Sequence, residues 1–484
     1  MTSIVDRRTF LAASLLLATG AHGRTPGDDG WGKAATILAR VRPPRFPARV
    51  FDIRRHGAQP GGAMLATQAI ADAITACATA GGGRVLVPAG RWLTGAVRLK
   101  SNVELHLAEG STLAFSQDPA HYPIVATRFE GVELMGYSPL IYASDVRNVA
   151  VTGAGLIDGQ GRSWWSWSGG ARYGWREGMP SQRPARSRLF AMAEEGVPVA
   201  QRRFADGSHI RPSLMQFQRC SDVLIEGVTL KDSPFWNVHP VMCRNVIMRN
   251  VTVTGHGPNN DGCDPESVDG MLIEGCIFDT GDDCIAIKSG RNADGRRLNS
   301  PTRDILIRGC TMKAGHGGVV IGSEVSGGVE NVFAEQCRMS SPDLWYALRF
   351  KTNAVRGGRI AHVRARDIDV GQVGKAALTC DFNYEEGARG PFIPELDDVV
   401  VERLTVANAI RVLDCQGLPQ APVGSLTLRD CRFDGVTQPS IVKRIDALTL
   451  ERVTVNGQRV SALWTPSPLP RHHRVRAAKL RHLC

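Results

Sequence analysis

The feature that most constrains the fold is a short strand pattern that returns along most of the chain at intervals of 22 to 36 residues. One copy is Leu272-Ile273-Glu274-Gly275-Cys276, and the last residue of each copy is termed the anchor. The clear anchors are Val228, Val251, Cys276, Cys310 and Cys337, and the weaker ones are Ile368, Leu404, Cys431 and Val453. Repeats of this length with strands and no intervening helix pattern predict a β-solenoid, in which each copy is one turn of a coil and the anchors stack inside it.

A β-propeller is the competing repeat fold. It needs about 40–50 residues and four strands in each blade, which the observed intervals do not supply. We therefore expect an all-β fold, a right-handed parallel β-helix, over residues 51–465. The apolar face of the segment Thr67–Thr79 predicts a short helix that caps the N-terminal end of the coil.

The cysteines and glycines agree with a fold of many short strands. The chain has 12 Cys with no Cys-x-x-Cys pair, and several occupy anchor positions, which indicates small buried side chains rather than disulfides or a metal site. The 52 Gly residues and the low aromatic content of 6% favour short strands joined by tight turns.

The two ends of the chain differ from the repeats. The pair Arg7-Arg8 ahead of a short apolar run is typical of an export signal over residues 1–23, and the run is too short to span a bilayer. Twin arginines resemble signals of the route that carries folded proteins across the bacterial inner membrane. We expect a periplasmic or secreted protein, with no membrane segment after signal removal. Residues 24–50 are predicted to be irregular, and residues 466–484 to be a disordered basic tail.

A candidate site lies at the pair Asp282-Asp283, where two carboxylates precede an apolar run. Asp282 lies six residues after its anchor, Cys276, and His316 lies six residues after the next anchor, Cys310. Equal offsets in stacked turns make the two side chains vertical neighbours, about 4.8 Å apart. The register of the coil therefore predicts that Asp282 and His316 share one edge.

Neighbouring turns bring further charges to the same edge. The preceding turn has a longer corner that carries Asp261, and the following turn supplies Arg349 and Lys351, which are two residues apart and so point to one face. Each of these residues alone is more typical of a surface turn or a solvated strand, but independent surface residues have no reason to share a column. Paired carboxylates near an apolar wall are typical of enzymes that hydrolyse glycosidic bonds.

Four short segments occur here in the order of a known set of signatures. They are Asn259-Asn260-Asp261, Gly281-Asp282-Asp283, Gly315-His316-Gly317 and Arg349-Phe350-Lys351. The chain thereby resembles glycoside hydrolase family 28, the polygalacturonases, whose signatures are Asn-Thr-Asp, Gly-Asp-Asp, Gly-His-Gly and Arg-Ile-Lys. The two departures are Asn260 and Phe350, and the resemblance covers residues 50–460.

The resemblance implies a role for each matching residue. Asp282 resembles the general acid that protonates the leaving oxygen, and His316 resembles a neighbour that sustains its protonation. Asp261 and Asp283 resemble the pair that activates water. The acid needs a raised pKa, and we expect two ionised neighbours to supply it by like-charge repulsion.

The resemblance also implies how a uronic substrate is held. Arg349 and Lys351 resemble the cations that hold a galacturonate carboxylate, since a uronic substrate needs cations close to its ring. Further candidates for substrate binding are Asn259, Trp236, His239 and Tyr384. The family implies hydrolysis of α-1,4-galacturonosidic bonds in pectin with inversion and without a metal or other cofactor, although three crowded carboxylates ordinarily suggest the closer spacing of a retaining enzyme.

Several alternatives remain open from the sequence. One is a hydrolase of rhamnogalacturonan or substituted pectin. Another is a polysaccharide lyase on the same fold, in which the acidic residues hold Ca²⁺, and a third is a non-catalytic carbohydrate-binding solenoid. The long insertion that ends near residue 212 is expected to close one end of the groove and favour attack from chain ends.

The charge of the chain bears on its partner. A net charge of +11 suits an acidic polymer but does not itself separate a polyuronate from a nucleic acid. With the resemblance, the expected partner is an acidic plant polysaccharide and no nucleic acid, and the expected state is a monomer.

Overall fold

The computed structural model describes residues 30–463 and shows a parallel β-helix, as the repeats predict. Each turn of the coil, termed a rung, contributes strands to parallel sheets on up to three faces, here named the first, second and third sheets. The export signal predicted for residues 1–23 and the basic tail predicted for residues 466–484 lie outside the described residues.

The strands are grouped by face. The first sheet contains Val50–Asp52, Gly83–Val87, Val103–Leu107, Arg147–Gly153, Ser221–Glu226, Arg244–Arg249, Asp269–Glu274, Thr302–Arg308, Val329–Glu335, Arg359–Gln372, Glu395–Val406, Val423–Arg429 and Ile445–Glu451. The second sheet contains the ends of Arg359–Gln372 and Glu395–Val406 and the strands Gly90–Thr94, Ser111–Phe115, Leu156–Asp158, Thr229–Lys231, Thr252–Gly255, Ile277–Thr280, Thr311–Met312, Arg338–Ser340, Arg432–Phe433, Val453–Val455 and Gln458–Val460. The third sheet contains Val97–Arg98, Ile141–Ser144, Met215–Gln218, Val238–Val241, Ile285–Ile287, Val319–Gly322, Tyr346–Lys351, Ala376–Asp381, Arg411–Gln416 and Ile441–Lys443.

Other elements lie outside the coil or at its end. A small sheet is formed by Ile124–Phe129, Val132–Tyr137 and Arg203–Phe204. The α-helices are α1 (Gly32–Arg40), α2 (Thr67–Thr79), α3 (Arg162–Trp165), α4 (Arg183–Glu194) and α5 (Asn292–Leu298).

The anchors form the predicted ladder inside the coil. All of them, from Val228 to Val453, are at most 2% exposed. The residues that follow them pair in register from rung to rung, for example Thr229 with Thr252 and Thr252 with Ile277. The alternation of inward and outward side chains is therefore constant along the coil, and residues at equal offsets stack.

A second column on the first sheet alternates in charge. It lies two residues before the anchors and runs Glu226, Arg249, Glu274, Arg308, Glu335, Arg366, Glu402, Arg429 and Glu451, each paired in register with the next. Contacts within it include Arg308 Nε to Glu274 Oε1 at 2.7 Å. If a strand paired with the rung after next instead of with its neighbour, like charges would lie side by side. The column therefore favours the native pairing.

Helix α2 closes the N-terminal end of the coil, as predicted. Its residues Ile70, Ala73, Ile74 and Cys77 are buried and belong to the same core as the inward side chains of the first rungs. Because the end of a coil would otherwise expose that core to water, the helix supplies the cover that a further rung would give.

The prediction that residues 24–50 are irregular is wrong for α1. Its residues Ala34 and Ile37 pack on an apolar column that points outward from the first sheet, together with Trp31 before the helix and Val41 after it. That column consists of Ala150, Leu224, Ile247, Leu272, Leu306 and Phe333. The helix is stabilised by this surface rather than by local sequence signals, since it has no acidic residue in its first turn and no side-chain cap.

The cysteines of the described chain are free and buried, in agreement with their predicted role as small core side chains. In the segment 30–463, no helix combines the length and the apolar character that crossing a bilayer requires.

The small sheet, α4 and α5 form a second layer over part of the third sheet. Phe129, Val132 and Leu134 of the small sheet pack with Leu189 of α4 and with Trp236 of the third face. Arg202, next to the strand Arg203–Phe204, joins the small sheet to α5, because its Nη1 lies 2.7 Å from Asp294 Oδ2. The second layer leaves the corner between the second and third sheets uncovered near Asp282 and His316, whose side chains are 17% and 32% exposed.

Candidate active site

The corner between the second and third sheets brings Asp282 and His316 together. The backbone N–H of His316 donates to the carbonyl of Asp282 at 3.1 Å, and His316 Nδ1 lies 2.9 Å from Asp282 Oδ1. The corner is tight, since a Cβ at Gly281 would lie 2.5 Å from the carbonyl oxygen of Gly257. Trp345 stacks on the imidazole with ring centroids 3.8 Å apart and fixes its plane.

Three carboxylates meet at this corner. The N–H of Gly262 donates to the carbonyl of Asp283 at 2.9 Å, which sets Asp261 level with Asp283 on adjacent rungs. One oxygen of Asp261, one of Asp282 and one of Asp283 all lie within 4.8 Å of one another. Asp261 and Asp283 are buried, whereas Asp282 is partly exposed, so Asp282 is the member of the group that faces the groove.

The third sheet places two cations beside the carboxylates. Lys351 Nζ lies 2.6 Å from Asp283 Oδ2, and Arg349 Nη1 lies 3.3 Å from Asp283 Oδ1. The ring of Tyr384 lies 5.6 Å from the Arg349 guanidinium and 5.2 Å from Lys351 Nζ. The structure thus brings Arg349, Lys351 and Tyr384 to the same groove as the carboxylates and His316.

A buried lysine beneath the carboxylates has no counterpart in the predicted site. Lys288 Nζ lies 3.9 Å from Asp261, 3.5 Å from Asp264 and 3.3 Å from Glu324, and it sits 4.7 Å from the ring centroid of Trp236. All four polar residues are almost fully buried. The signal in the sequence is one charge at the end of an otherwise apolar strand, which does not identify its partners.

The prediction that His239 contacts substrate is wrong. Its side chain is fully buried, with Nε2 2.9 Å from Glu266 Oε2 and Nδ1 3.0 Å from the amide of Gln216. Arg128 of the small sheet pairs with the same glutamate at 2.6 Å. The small sheet covers this part of the third sheet, so a residue that points outward from the coil is still enclosed.

Trp236 lies below the groove surface, and Asn259 lies at its margin. Trp236 is 3% exposed and stacks on Phe235, which assigns it to packing rather than to direct contact with a ligand. Asn259 is partly exposed, and its Oδ1 accepts a hydrogen bond of 2.7 Å from Arg211 Nη2. Arg211 is buried and also donates to the carbonyl of Pro258, so it holds the corner that carries Asp261.

The pKa values of Asp261 and Asp282 shift in opposite directions. Burial, reinforced by Asp264 and Asp282, raises the pKa of Asp261 well above its usual value. Burial also acts to raise the pKa of Asp282, but the opposite effect of His316, Lys351 and Arg349 is larger. The pKa of Asp282 therefore lies below its usual value. The direction of this shift runs against the expectation that crowding and His316 hold a proton on Asp282, since the adjacent cations stabilise the carboxylate.

The same carboxylates have the spacing that a divalent cation accepts. However, the Asp283 oxygens already accept hydrogen bonds from Arg349 and Lys351, whose charges would repel a metal ion. The donor set therefore fits acid–base chemistry with a bound anion better than it fits a metal centre.

Comparisons with known proteins agree with this geometry. Residues 200–416 match the model of glycosyl hydrolases family 28. A curated relative, a probable polygalacturonase of Vitis vinifera, is 30% identical over 379 residues, which is 75% of this chain and 69% of the relative. An exo-poly-alpha-D-galacturonosidase of Dickeya chrysanthemi is 28% identical over 355 residues, covering 70% of this chain and 58% of that protein.

A solved structure is similar over most of the chain. The hyperthermoactive exopolygalacturonase of Thermotoga maritima superposes with a TM-score of 0.86 and 41% sequence identity, over 89% of this chain and 96% of that one. The match extends well beyond the four signatures to the coil itself. The chain therefore belongs to glycosyl hydrolase family 28 and is a glycoside hydrolase.

Proposed function

We propose that the enzyme hydrolyses α-1,4-galacturonosidic bonds of polygalacturonate. The observation that carries the proposal is the pair Arg349 and Lys351 beside three carboxylates, because a uronate ring needs cations next to the group that protonates its glycosidic oxygen. The polygalacturonases and exopolygalacturonases among its relatives support the same substrate. Asp282 is the general acid, and Asp261 with Asp283 positions and deprotonates water.

Binding of the substrate moves one proton from Asp261 to Asp282. In the free enzyme the raised pKa of Asp261 favours its protonated form, while His316, together with Lys351 and Arg349, lowers the pKa of Asp282. A substrate carboxylate that pairs with these cations offsets their charge, so the pKa of Asp282 rises and the proton moves to it from Asp261, within 4.8 Å. Asp282 then protonates the leaving oxygen, and the attacking water returns a proton to Asp261.

Calorimetry tests this proton transfer. Binding of an oligogalacturonate to the Asp283→Asn variant in buffers of different ionisation enthalpy reports the protons exchanged with solvent. Internal transfer predicts no net uptake at neutral pH. Uptake of one proton per ligand would show that Asp282 is protonated from solvent instead.

We propose inversion at the anomeric centre. Asp283 accepts hydrogen bonds from two cations, which weakens it as a nucleophile and leaves water as the attacking group. The short oxygen separation argues the other way, because inverting enzymes usually hold their carboxyl groups about 6.5–9.5 Å apart. Proton NMR of the first product distinguishes the two, since a β-anomer indicates inversion and an α-anomer indicates retention.

We propose that cleavage proceeds from chain ends. The second layer covers the third sheet beside the carboxylates, and Arg291 fills the space next to it, with pairs to Glu130 at 3.3 Å and to Glu324 at 3.1 Å. A groove closed on this side accepts a terminus but not the middle of a polymer. Sizing of early digestion products tests this, and random internal cuts from the first minutes would contradict it.

The proposed location is the periplasm or the medium, on the basis of Arg7-Arg8 and the apolar run that follows. Fractionation of cells with the native leader and with Arg7→Lys/Arg8→Lys tests it. Retention of only the double-lysine variant in the cytoplasm is expected, and equal export of both would contradict the twin-arginine route.

Product analysis separates the proposed reaction from its alternatives. Polygalacturonate and rhamnogalacturonan are incubated with the enzyme in a chelator. Hydrolysis of polygalacturonate gives new reducing ends and no absorbance from an unsaturated product. An unsaturated product would indicate a lyase. Cleavage of rhamnogalacturonan alone would show that this polymer, and not polygalacturonate, is the substrate.

A further inference from the structure

Asp282 and His316 are the first two members of a longer column. In the third sheet, the residues that stack on successive rungs are Ile285, Val319, Leu348 and Leu378. The residues that lie three positions before them are Asp282, His316, Trp345 and Lys375. The N–H of Lys375 donates to the carbonyl of Trp345 at 3.0 Å, so the pairing of the rungs continues as far as this position. An acid, an imidazole, an indole and an ammonium group therefore follow one another along the corner.

The indole of Trp345 is enclosed between its two neighbours in the column. The imidazole of His316 lies on one face, with ring centroids 3.8 Å apart and ring planes 17° from parallel. Lys375 Nζ lies 3.5 Å from the centroid of the indole. Because His316 comes from the preceding rung and Lys375 from the following one, the ammonium group covers the opposite face. Neither face of the indole is left for a sugar ring to stack on, so Trp345 is not a platform for the substrate.

The indole is the partner that fixes the position of the Lys375 ammonium group. Lys375 is exposed, and its ammonium group makes no ion pair within residues 30–463. An ammonium group is attracted to the negatively polarised face of an indole. The side chain therefore lies along the ring instead of extending into water, and it presses the indole against the imidazole.

The plane of the His316 ring decides whether its nitrogen contacts the acid. Nδ1 lies 2.9 Å from Asp282 Oδ1, although the imidazole is 32% exposed. A ring with this exposure turns toward water unless a neighbour blocks the rotation, and the stacked indole blocks it. Burial acts to raise the pKa of Asp282, and His316 exerts the largest opposing effect. Loss of the contact would therefore change the pKa of the acid.

Other charged and titratable groups also act on the carboxyl group of Asp282. They are Arg349, Lys351, Asp261, Asp283, Asp264, Arg211 and Tyr384. Trp345 and Lys375 are not among them, so the influence of these two residues on the acid passes through His316.

We propose that Trp345 and Lys375 are positioning residues for the acid–base chemistry, because together they hold the His316 ring in the plane from which it contacts Asp282. Trp345 acts on the imidazole, and Lys375 acts on the indole. The catalytic consequence rests on the proposed function, whereas the stacking itself does not depend on the substrate.

Substitution of Trp345 should reproduce part of the loss caused by removing His316. Trp345→Leu leaves the imidazole free to turn, so kcat on polygalacturonate should fall about tenfold, since small displacements of catalytic groups are costly. KM should stay within about twofold of the wild type, because the indole does not contact the substrate. The acidic limb of the kcat/KM profile should move to higher pH as the effect of His316 on Asp282 is lost. Trp345→Phe keeps a flat ring and should retain most of the activity and the wild-type profile.

A double-mutant cycle separates positioning from packing. In the His316→Gln background there is no imidazole to hold, so adding Trp345→Leu should lower kcat by less than about twofold more. A purely structural role predicts the same fold-loss in both backgrounds. Circular dichroism checks folding, and if Trp345→Leu does not fold, Lys375→Met takes its place in the cycle.

Lys375 is tested by its own pair of variants. Lys375→Met should lower kcat about threefold, the size expected for one exposed cation–π contact, and Lys375→Arg should restore it because a guanidinium also stacks on an indole. The matched control is Lys443→Met, which removes another exposed lysine at the end of a third-sheet strand and should equal the wild type.

NMR of the histidine ring protons supplies a readout without turnover. The ring current of an indole moves the protons of a ring stacked on its face upfield, and the His316 signal is assigned by its loss in His316→Gln. This upfield shift should disappear in Trp345→Leu and become smaller in Lys375→Met.

The outcomes separate the two levels of inference. If the wild type does not cleave polygalacturonate, the proposed function fails, whereas NMR still decides whether the indole holds the imidazole. If the wild type is active but the cycle shows equal losses in both backgrounds, or the upfield shift survives in Trp345→Leu, the positioning role is wrong.

Discussion

His316 Nδ1 lies 2.9 Å from Asp282 Oδ1, and the two residues occupy the same register position on adjacent rungs. Asp282 is the carboxylate of the cluster that reaches the groove, so Asp282→Asn should lower kcat on polygalacturonate about 10²–10⁴-fold. Circular dichroism should be unchanged. Asp279→Asn, three residues earlier and paired with exposed His256, is the matched control and should stay active. Full activity of the Asp282 variant would remove this residue from its role.

The same contact predicts a change in pH dependence. His316 contributes to the lowered pKa of Asp282, so His316→Gln should raise the pKa of that carboxyl toward its usual value. The acidic limb of the kcat/KM profile should then move to higher pH, in addition to a loss of kcat. A profile that superposes on the wild type after scaling would show that the imidazole does not act on Asp282.

Lys288 is the cation that neutralises the buried carboxylates below the site. Lys288→Met removes the positive charge that Asp261, Asp264 and Glu324 share, and leaves buried carboxylates unpaired. The variant should therefore lose about 3–5 kcal/mol of unfolding free energy. Asp261 and Asp264 have raised pKa values in the folded state. Protonation of these two side chains therefore stabilises the folded state at low pH. This stabilisation is lost as the pH rises through their pKa values in the folded state.

The loss in Lys288→Met should consequently be larger at pH 8 than at pH 4, as measured by thermal unfolding. Lys313→Met, at the exposed position that follows the strand Thr311–Met312, is the control and should change stability little at either pH. Equal destabilisation at both pH values would mean that the lysine acts by packing alone.

The alternating column on the first sheet predicts a cost for charge reversal. Arg308→Glu places a third acid between Glu274 and Glu335, which pair with it in register. Loss of an exposed ion pair and new repulsion should cost about 1–2 kcal/mol at low salt and less at high salt. Arg338→Glu lies outside the column and serves as the control in the same unfolding experiment. A salt-independent loss would contradict the electrostatic origin.

Helix α1 should contribute stability through a single face. Ile37 is fully buried against the apolar column, so Ile37→Ala should cost about 2–5 kcal/mol. Its neighbour Leu38 is 37% exposed, and Leu38→Ala should cost less than about 0.5 kcal/mol. Similar losses for both variants would show that helix propensity, not docking, holds the segment in place.

Much of the catalytic edge followed from counting residues along the chain. Asp282 and His316 share an offset from their anchors, and parallel pairing turns equal offsets into neighbours. Arg349 and Lys351 were placed by the period of two in a strand. The same reasoning failed for His239, because an outward direction from the coil does not reveal that a small sheet from residues 124–137 lies over it.

The sequence by itself determined the coil, its register and the column of charges at one corner, because a repeat with constant offsets allows one in-register stack. Only the tertiary structure decided in which direction the pKa values of Asp261 and Asp282 shift and which aromatic residues are enclosed. Lys288, Asp261 and Glu324 come from three rungs, and their burial depends on a second layer contributed by distant insertions. The pKa of a buried acid is set by every charge and every covering atom around it, and no local pattern encodes that sum.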